Sequence, residues 1–429
     1  MLSTREKLTI HQETLNNGSL LLFKKLPSAP RLAIVFAIPG GNQRDNIPGI
    51  SDLVDRLLMK GTQSRSQEEI AIAIDGLTLD LDIDTKRDYS VISATLLEED
   101  LEASLEIIAD LFYNALPDKT LESELAREKE KLVGEIMMEL DSPKSRASDL
   151  FGRTLFENTP YGVVSSVVLE SLPLIDSAQT VKAHYQGAYQ TECMVIAVTG
   201  NIDEKRLKKA LESHFPKRQQ PPSLIDPALI TRLENLALPK NQYVSYAKDD
   251  SSQAHIYKGW LVPGVHHPDF YALSLMNTIL GGAGLSSRLF LELRDKQGLA
   301  YNVRSALDTV KHKGAFTLYI GTEPSNKEKC LKGFEEECGK LIKTLVSAKE
   351  LADAKRNMLG RRSIYLETGP QLCGYIAGNY VMGKTIEDIE ALPERIEAIT
   401  SADIQRVAEK YMSPSNPHVT SISGPSSIL

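Results

Sequence analysis

The sequence predicts an α+β protein built of two similar halves, each with a mostly antiparallel sheet packed with helices. Strand-like segments alternate with long helical segments along the 429 residues. Two helix starts, Ile175–Ala178 and Ile399–Ala402, are followed by strand-like segments that end at Gly200 and Gly424, and both pairs share one offset (399 − 175 = 424 − 200 = 224). Segregated strands and helices favour a layered α+β unit over a doubly wound parallel sheet. The constant offset indicates that the unit is repeated.

The first strands and the first helix carry clear local signals. Leu20–Phe23 and Leu32–Ala37 are short apolar segments of the kind that form strands. Ser66 and Glu69 fit a capping box, in which each side chain bonds the other residue's backbone at a helix start. We therefore expect a helix that begins after Ser66 and ends near Asp75.

Strand and helix patterns continue from residue 77. Strict alternation of apolar and polar residues over 77–83 predicts a half-buried strand, with 89–95 as its antiparallel neighbour. Helical spacing over 101–112 and a Glu/Lys-rich segment over 121–140 predict two long helices. Asp141-Ser142-Pro143 is expected to end the second of these helices.

The second half repeats this order. Ala348–Tyr365, like Lys119–Glu135, is a long charged segment that follows an apolar helix. The polar, proline-rich segment 216–228 is the natural linker. This predicts one domain over 1–215 and a second over 229–429.

Composition and charge narrow the class of protein. Lys and Arg number 49 and Asp and Glu 57, so the formal net charge is 49 − 57 = −8. Nucleic-acid binding is not expected, because it needs a basic surface. No apolar run approaches the roughly 20 residues that span a bilayer, and residues 1–7 show no secretory pattern. We expect a cytoplasmic protein with no membrane contact.

The cysteines and histidines offer no ready site. Four widely spaced cysteines form no C-x-x-C and are too few for a disulfide scaffold, so we expect reduced, buried thiols at Cys193, Cys330, Cys338 and Cys373. The eight histidines include no H-x-x-x-H pair, the spacing that places two metal ligands on one helix face.

One segment resembles a known metal-binding helix. Gly49–Thr62 reads GISDLVDRLLMKGT and resembles the zinc-binding helix of the insulinase-type (M16) metallopeptidases, which include the mitochondrial processing peptidases. That helix carries H-x-x-E-H between a glycine and K-G-T; its two histidines hold zinc, and its glutamate takes a proton from the metal-bound water. Here the three positions are Asp52, Asp55 and Arg56. The frame of the motif is present, and its ligands are replaced.

Other positions match the same family in order along both halves. Glu135 matches the third zinc ligand, on a downstream helix, and Glu128 matches its partner on the same helix face. Pro160-Tyr161-Gly162 matches a turn that is common in the family. Arg294 and Tyr301, seven residues apart, resemble the arginine–tyrosine pair that binds the substrate peptide backbone opposite the zinc.

The resemblance implies a clamshell of two M16-type halves and a division of labour between chains. In heterodimeric members one chain carries zinc, and the other supplies the arginine–tyrosine pair. The chain is therefore expected to be the non-catalytic, substrate-binding subunit of a zinc metalloendopeptidase, with no catalytic residue, no bound metal and no cofactor of its own. Its expected partners are a peptide or small-protein substrate and a zinc-bearing M16 chain, with a homodimer as the alternative assembly.

Residue chemistry leaves alternatives open at the altered motif. Arg56 keeps its charge at any working pH and would repel a dication, so a charged helix face with an Asp52–Arg56 pair is the preferred interpretation. The alternative is a Mg²⁺ or Ca²⁺ site made of carboxylates, which would make the chain an autonomous hydrolase. Glu135 is either a remnant of the family pattern or part of a solvated helix face.

The second half has alternatives as well. From spacing alone, Arg294 would be a helix-end residue and Tyr301 a core residue. The segment Gly281–Gly284 lies where the family's non-catalytic processing subunit has its glycine-rich loop, and it fits a flexible connection equally well. For the whole chain, the rival is a structural core-type subunit without a proteolytic role, because fold alone does not fix function.

Overall fold

The computed structural model describes residues 8–218, 225–238 and 240–429. In these residues eleven strands form two sheets, connected by sixteen α-helices. The strands are β1 His11–Thr14, β2 Leu20–Lys25, β3 Leu32–Pro39, β4 Asp80–Thr85, β5 Tyr89–Leu96, β6 Val195–Gly200, β7 Gln242–Ala247, β8 Ala254–Pro263, β9 Ala300–Leu307, β10 Lys313–Thr322 and β11 Val419–Gly424.

The helices fall between and after these strands. They are α1 Ile50–Leu58, α2 Gln67–Gly76, α3 Leu101–Asn114, α4 Asp118–Asp141, α5 Pro143–Leu155, α6 Ser165–Ser171, α7 Ala178–Ala188, α8 Glu204–His214, α9 Pro227–Glu234, α10 Phe270–Asn277, α11 Lys327–Lys343, α12 Ala348–Tyr365, α13 Gly369–Val381, α14 Ile386–Glu390, α15 Leu392–Ala398 and α16 Ser401–Met412. Two π-helical segments, Thr278–Gly282 and Phe290–Lys296, lie between α10 and β9. None of the described helices is long and apolar enough to cross a membrane.

The two sheets share the order of five strands, and the first sheet has β1 as an additional edge strand. Their strand orders are β1-β2-β6-β3-β5-β4 and β7-β11-β8-β10-β9. In each sheet one pair is parallel, β2 with β6 and β7 with β11, and the remaining neighbours are antiparallel. The corresponding strands β6 and β11 are those that the 224-residue offset relates. The predicted α+β class and the repeat of one α/β unit are therefore confirmed.

The chain forms two compact units that are interleaved in sequence. Unit 1 comprises the described parts of 1–134, 168–226 and 363–390; unit 2 comprises 135–167, 227–362 and 391–429, where described. Consequently α13, from the C-terminal half, packs on β3 and β6 of unit 1. Likewise α5, from the N-terminal half, packs on β7, β8 and β11 of unit 2.

Apolar burial explains why these exchanged helices are held. Ala33, Val35 and Ala37 project from one face of β3 onto Leu372 and Ile376 of α13. In unit 2, the α5 residues Ala147, Phe151 and Leu155 join a cluster with Tyr257, Tyr319 and Val419. Strands that are buried on both faces, such as β3, read as continuous apolar runs. The linker prediction over 216–228 stays a prediction, and residues 219–224 of it lie outside the described residues.

The predicted capping box at Ser66 and Glu69 is present. In the capping box, the Glu69 amide donates to Ser66 Oγ (3.2 Å) and the Ser66 amide donates to Glu69 Oε2 (2.7 Å). The strand predicted over 77–83 begins only at Asp80, because Thr78 has a left-handed φ of 50° that belongs to a turn. Cys330, Cys338 and Cys373 are buried as expected, but Cys193 is exposed, so that prediction was wrong at this residue.

Candidate functional site

Helix α1 presents the altered motif of unit 1. It begins after Gly49, whose φ of 87° is left-handed and whose missing Cβ would lie 2.6 Å from Val168 Cγ1. The apolar residues Ile50, Leu53, Val54, Leu57 and Leu58 are buried, while Asp52, Asp55 and Arg56 are half-buried. Helix α1 packs against α7 and β4. The three motif positions therefore share the less buried side of a helix that is fixed by its apolar face.

Asp55 is engaged by neighbouring side chains. The Tyr189 hydroxyl donates to Asp55 Oδ1 at 3.0 Å. Burial raises the pKa of Asp55 to about 7, against the opposing effect of hydrogen bonds from Thr85 and Tyr189. The negative charges of Asp52 and Asp84 raise this pKa further. The surroundings of Asp55 therefore favour the protonated form of its carboxyl group.

Burial and the charge of Arg56 both affect the pKa of Asp52. Burial raises the pKa of Asp52, the positive charge of Arg56 acts in the opposite direction, and Asp84 on β4 adds to the rise. A metal dication needs deprotonated carboxylate ligands, and it would have to lie beside the guanidinium of Arg56. In unit 1, the described His, Cys, Asp and Glu side chains whose ligand atoms converge within 4.8 Å of one another are His11, Glu13 and Glu204, away from α1. The α1 residues do not fit zinc.

A buried cluster beside the motif has no signal in the sequence. The Ser51 hydroxyl donates to Asp45 Oδ1 at 2.5 Å and lies 3.0 Å from His184 Nε2. Burial raises the pKa of Asp45 to about 7 and lowers that of His184 to about 4. Ser51 and His184 are buried, so this Asp–Ser–His set is closed to a substrate. It ties the start of α1 to α7, and only the fold brings its members together.

The two glutamates that match the downstream helix differ in their surroundings. Glu128 on α4 is buried and bonded to Lys131 (2.7 Å) and Lys60 (3.2 Å). Burial acts to raise the pKa of Glu128, but these hydrogen bonds outweigh it and hold the pKa below its usual range. Glu135 lies on the same helix, is exposed, and is the first residue of the α4 portion that belongs to unit 2. Glu128 therefore has a structural explanation as an ion-pair partner.

Unit 2 brings Arg294 and Tyr301 together. Arg294 lies on the π-helical segment Phe290–Lys296 and Tyr301 on β9, across the helix-to-strand passage that the sequence predicts. The Arg294 guanidinium carbon lies 5.0 Å from the centroid of the Tyr301 ring and 4.6 Å from that of the Phe290 ring. Tyr301 is 82% exposed, which rules out the core role. Both rings lie within cation–π distance of the guanidinium, whose N–H groups are hydrogen-bond donors.

The pair lines an open, cationic pocket of about 470 Å³. Three of its lining residues are arginines, Arg294, Arg304 and Arg361, and its described lining includes no Asp or Glu. Strand β9, which supplies Tyr301 and Arg304, is the edge strand of its sheet. Edge strands present unpaired backbone N–H and C=O groups. The pocket therefore combines positive charge with backbone hydrogen-bonding capacity.

The glycine-rich segment beside this pocket is helical. Gly281 and Gly282 continue α10 as a π-helical turn, a local structure that neither of the two alternatives from the sequence included. A Cβ on Gly281 would lie 2.1 Å from the Ser305 backbone nitrogen of β9, and one on Gly282 would lie 2.8 Å from Asn277 Nδ2. Gly284 instead has a left-handed φ of 71° with open space around it. The missing side chain of Gly281 allows the turn to pack directly on β9.

The repeated α/β unit, with the altered motif on α1 and the Arg294–Tyr301 pair beside β9, defines a two-repeat α+β protein. The family profile described as "Insulinase (Peptidase family M16)" matches residues 22–164, and the profile described as "Peptidase M16 inactive domain" matches residues 177–358. The chain belongs to the insulinase-type M16 family.

Curated relatives cover nearly the whole chain. An uncharacterized zinc protease of Mycobacterium leprae is 29% identical over 410 residues, which cover 93% of this chain and 88% of that protein. The uncharacterized zinc protease YmxG of Bacillus subtilis is 27% identical over 403 residues, which cover 93% of this chain and 94% of that protein.

Solved structures share the fold. A peptidase M16 inactive domain from Pseudomonas fluorescens superposes with a TM-score of 0.85 and 24% identity, covering 98% of this chain and 99% of that one. A chain of complex III2 from Candida albicans superposes with a TM-score of 0.77 and 18% identity, covering 96% and 95%.

Proposed function

We propose that the chain is the non-catalytic, substrate-binding subunit of a two-chain M16 zinc endopeptidase. The observation that carries this proposal is the contrast between α1, whose motif positions Asp52, Asp55 and Arg56 do not fit zinc, and the open pocket around Arg294 and Tyr301. In this proposal a zinc-bearing M16 partner supplies the hydrolytic centre, and this chain holds the peptide. A cytoplasmic location stays a prediction.

Arg294 and Tyr301 bind the peptide through its backbone. A guanidinium and a phenol hydroxyl both donate to peptide carbonyl oxygens, and a guanidinium that already contacts two rings loses less freedom on binding. Donors that are already aimed at a carbonyl also stabilise the negative charge that develops on its oxygen during hydrolysis. The unpaired edge of β9 offers further backbone partners to an extended peptide.

The charge of the pocket specifies the substrate class. Arg294, Arg304 and Arg361 line it without a lining carboxylate, so an acidic peptide segment gains attraction there that a neutral one lacks. This preference should weaken as salt screens the charges.

The test is peptide binding to the isolated chain. A short fluorescent peptide rich in Asp and Glu is titrated with the chain, and anisotropy reports the dissociation constant. Arg294→Ala should weaken binding at least about tenfold, because a hydrogen-bonded charge partner is removed. Lys296→Ala is the matched control, since Lys296 is exposed on the same segment and pairs with Glu292; it should leave binding unchanged. Equal affinities for the native chain and Arg294→Ala would refute the proposal.

A structural subunit is the second candidate. The support for this candidate is the fold that the protein shares with a chain of complex III2 from Candida albicans. Such a subunit has no need to bind peptides, so it predicts no saturable binding and no effect of Arg294→Ala. The third candidate, an autonomous hydrolase with a carboxylate metal site, predicts that the isolated chain cleaves peptides and that Asp52→Ala abolishes cleavage. Sedimentation of the isolated chain distinguishes the monomer from the homodimer.

A further inference from the structure

A second cavity of unit 2 combines buried hydrogen-bond donors with apolar walls. It has a volume of about 300 Å³ and lies where β8 and α11 meet the end of α16. Phe334, Cys338, Ile342 and Met412 supply its apolar lining, and Lys258 and Trp260 project into its lining from β8. It shares no lining residue with the pocket around Arg294 and Tyr301.

Lys258 stands at an unusual place for an ammonium group. It lies on the same face of β8 as Ile256 and Trp260, which belong to the main apolar core of unit 2. The residue is only 6% exposed. Among the described residues, the hydrogen-bond acceptor of its Nζ is Glu335 Oε1 at 3.2 Å. The Glu335 side chain is 66% exposed, so water screens this pair. A buried ammonium with one screened partner has two N–H donors left for a ligand.

Trp260 adds a donor without a partner. Its side chain is 4% exposed, and its buried Nε1–H has no hydrogen-bond acceptor among the described residues. A buried polar group of this kind costs on the order of 1–3 kcal/mol when it stays unpaired. Such a group is expected where a ligand supplies the acceptor.

His418 completes the polar side of the cavity. Its ring centroid lies 5.9 Å from that of Trp260, and burial lowers the pKa of His418, which favours the neutral ring. Asn241 and Ser413 also line the cavity and carry no charge. Glu335 is the lining carboxylate, and its exposure allows it to turn toward water.

We propose that this cavity binds a small apolar monocarboxylate, whose carboxylate accepts hydrogen bonds from Lys258 Nζ and Trp260 Nε1 while its hydrocarbon chain packs on Phe334, Ile342 and Met412. An anion is favoured over a neutral ligand because the ammonium is buried in low-dielectric surroundings, where charge-assisted hydrogen bonds are strongest. A volume of about 300 Å³ suits a ligand at the small end of the range for binding pockets. The cavity is thus a ligand site separate from peptide binding.

The experiment uses the chain's single tryptophan as the reporter. Trp260 is the one Trp in the sequence, so tryptophan fluorescence of the full chain reports on this cavity. The probe is hexanoate, and hexanamide is its matched neutral control. We expect a saturable fluorescence change with hexanoate and a dissociation constant at least about tenfold weaker for hexanamide, the loss expected for one charge-assisted contact.

Three variants test the cavity, and the first two give opposite expectations. Lys258→Met keeps an unbranched apolar stem and removes the ammonium group, so hexanoate binding should weaken at least about tenfold. Glu335→Gln removes the competing carboxylate at an exposed position and should strengthen binding or leave it equal. Trp260→Phe, followed by calorimetry, should weaken binding because the N–H donor and part of the apolar ring are lost. Circular dichroism checks that each variant is folded.

Three results would contradict the proposed carboxylate site. No saturable fluorescence change with hexanoate, equal affinities for hexanoate and hexanamide, or weaker binding by Glu335→Gln would each refute the proposed site. The peptide-binding proposal is unaffected by these outcomes, because Arg294→Ala and Lys258→Met act in cavities with no shared residue.

Discussion

Two charged regions of the chain, α1 in unit 1 and the Arg294–Tyr301 pocket in unit 2, differ in what their side chains already contact. On α1, Asp55 accepts from Tyr189, and Asp52 lies within the field of Arg56. In the pocket, Tyr301 is 82% exposed and three arginines line the cavity. Groups that already bond or pair within the protein have little capacity left for a ligand. Exposed hydrogen-bond donors keep that capacity. This difference is the reason that we propose ligand binding in unit 2 and not at α1.

The largest expected effect concerns Asp55 on α1. The folded-state pKa of Asp55, about 7, is raised above its unfolded value near 4. The folded chain therefore holds a proton that the unfolded chain releases between about pH 4 and 7, and stability falls as pH rises through this window. Asp55→Asn keeps an acceptor for Tyr189 and removes the charge, so at pH 8 it should raise the free energy of unfolding, by roughly 4 kcal/mol at most.

Urea unfolding at several pH values measures this difference. The gain should vanish at pH values well below 4, where Asp55 is protonated in both states. His184 titrates in the opposite sense, because its lowered pKa makes stability fall as pH drops from about 6.5 to 4; taking the variant minus the native chain cancels it. A loss of stability at pH 8 would show that Asp55 is ionised and paired, as a ligand position would require.

The second effect concerns the frame of the open pocket. Gly281→Ala places a Cβ against the Ser305 backbone of β9 and should cost about 2–3 kcal/mol of stability through overpacking. Gly284→Ala is the matched control, since only its left-handed φ resists the change, at about 1 kcal/mol. Thermal unfolding compares the two. Equal, small losses would mean that the segment is a mobile connection after all.

The third and smallest effect isolates one hydroxyl. Tyr301→Phe removes the hydroxyl of a side chain that is 82% exposed, so stability should not change. Binding of the acidic peptide should weaken about three- to tenfold, the range for one hydrogen bond. Anisotropy measures it beside Arg294→Ala, which should have the larger effect. Unchanged affinity in Tyr301→Phe would restrict the site to the arginines.

Much of this architecture could be predicted from sequence because it rests on local or repeated patterns. The Ser66–Glu69 capping box, the 224-residue offset between β6 and β11 and the helix-to-strand passage from Arg294 to Tyr301 all depend on residues near in sequence or on a repeat. These patterns are visible without tertiary contacts.

Features that depend on distant contacts escaped prediction. The Asp45–Ser51–His184 cluster joins α1 to a helix more than a hundred residues away, which no spacing reveals. The helical course of Gly281 and Gly282 accompanies the close packing of Gly281 on β9, a tertiary contact that the sequence does not reveal. Cys193 is exposed in a turn before β6, where its φ is a left-handed 66°.

The zinc content of the isolated chain tests the central claim most directly. The chain is equilibrated with zinc, desalted and analysed by elemental mass spectrometry, with His11→Ala included because His11, Glu13 and Glu204 form a separate group of candidate ligands. The account predicts that the His11→Ala chain retains far less than stoichiometric zinc. Stoichiometric zinc in that chain, lost when Asp52→Ala or Glu135→Ala is added, would contradict it.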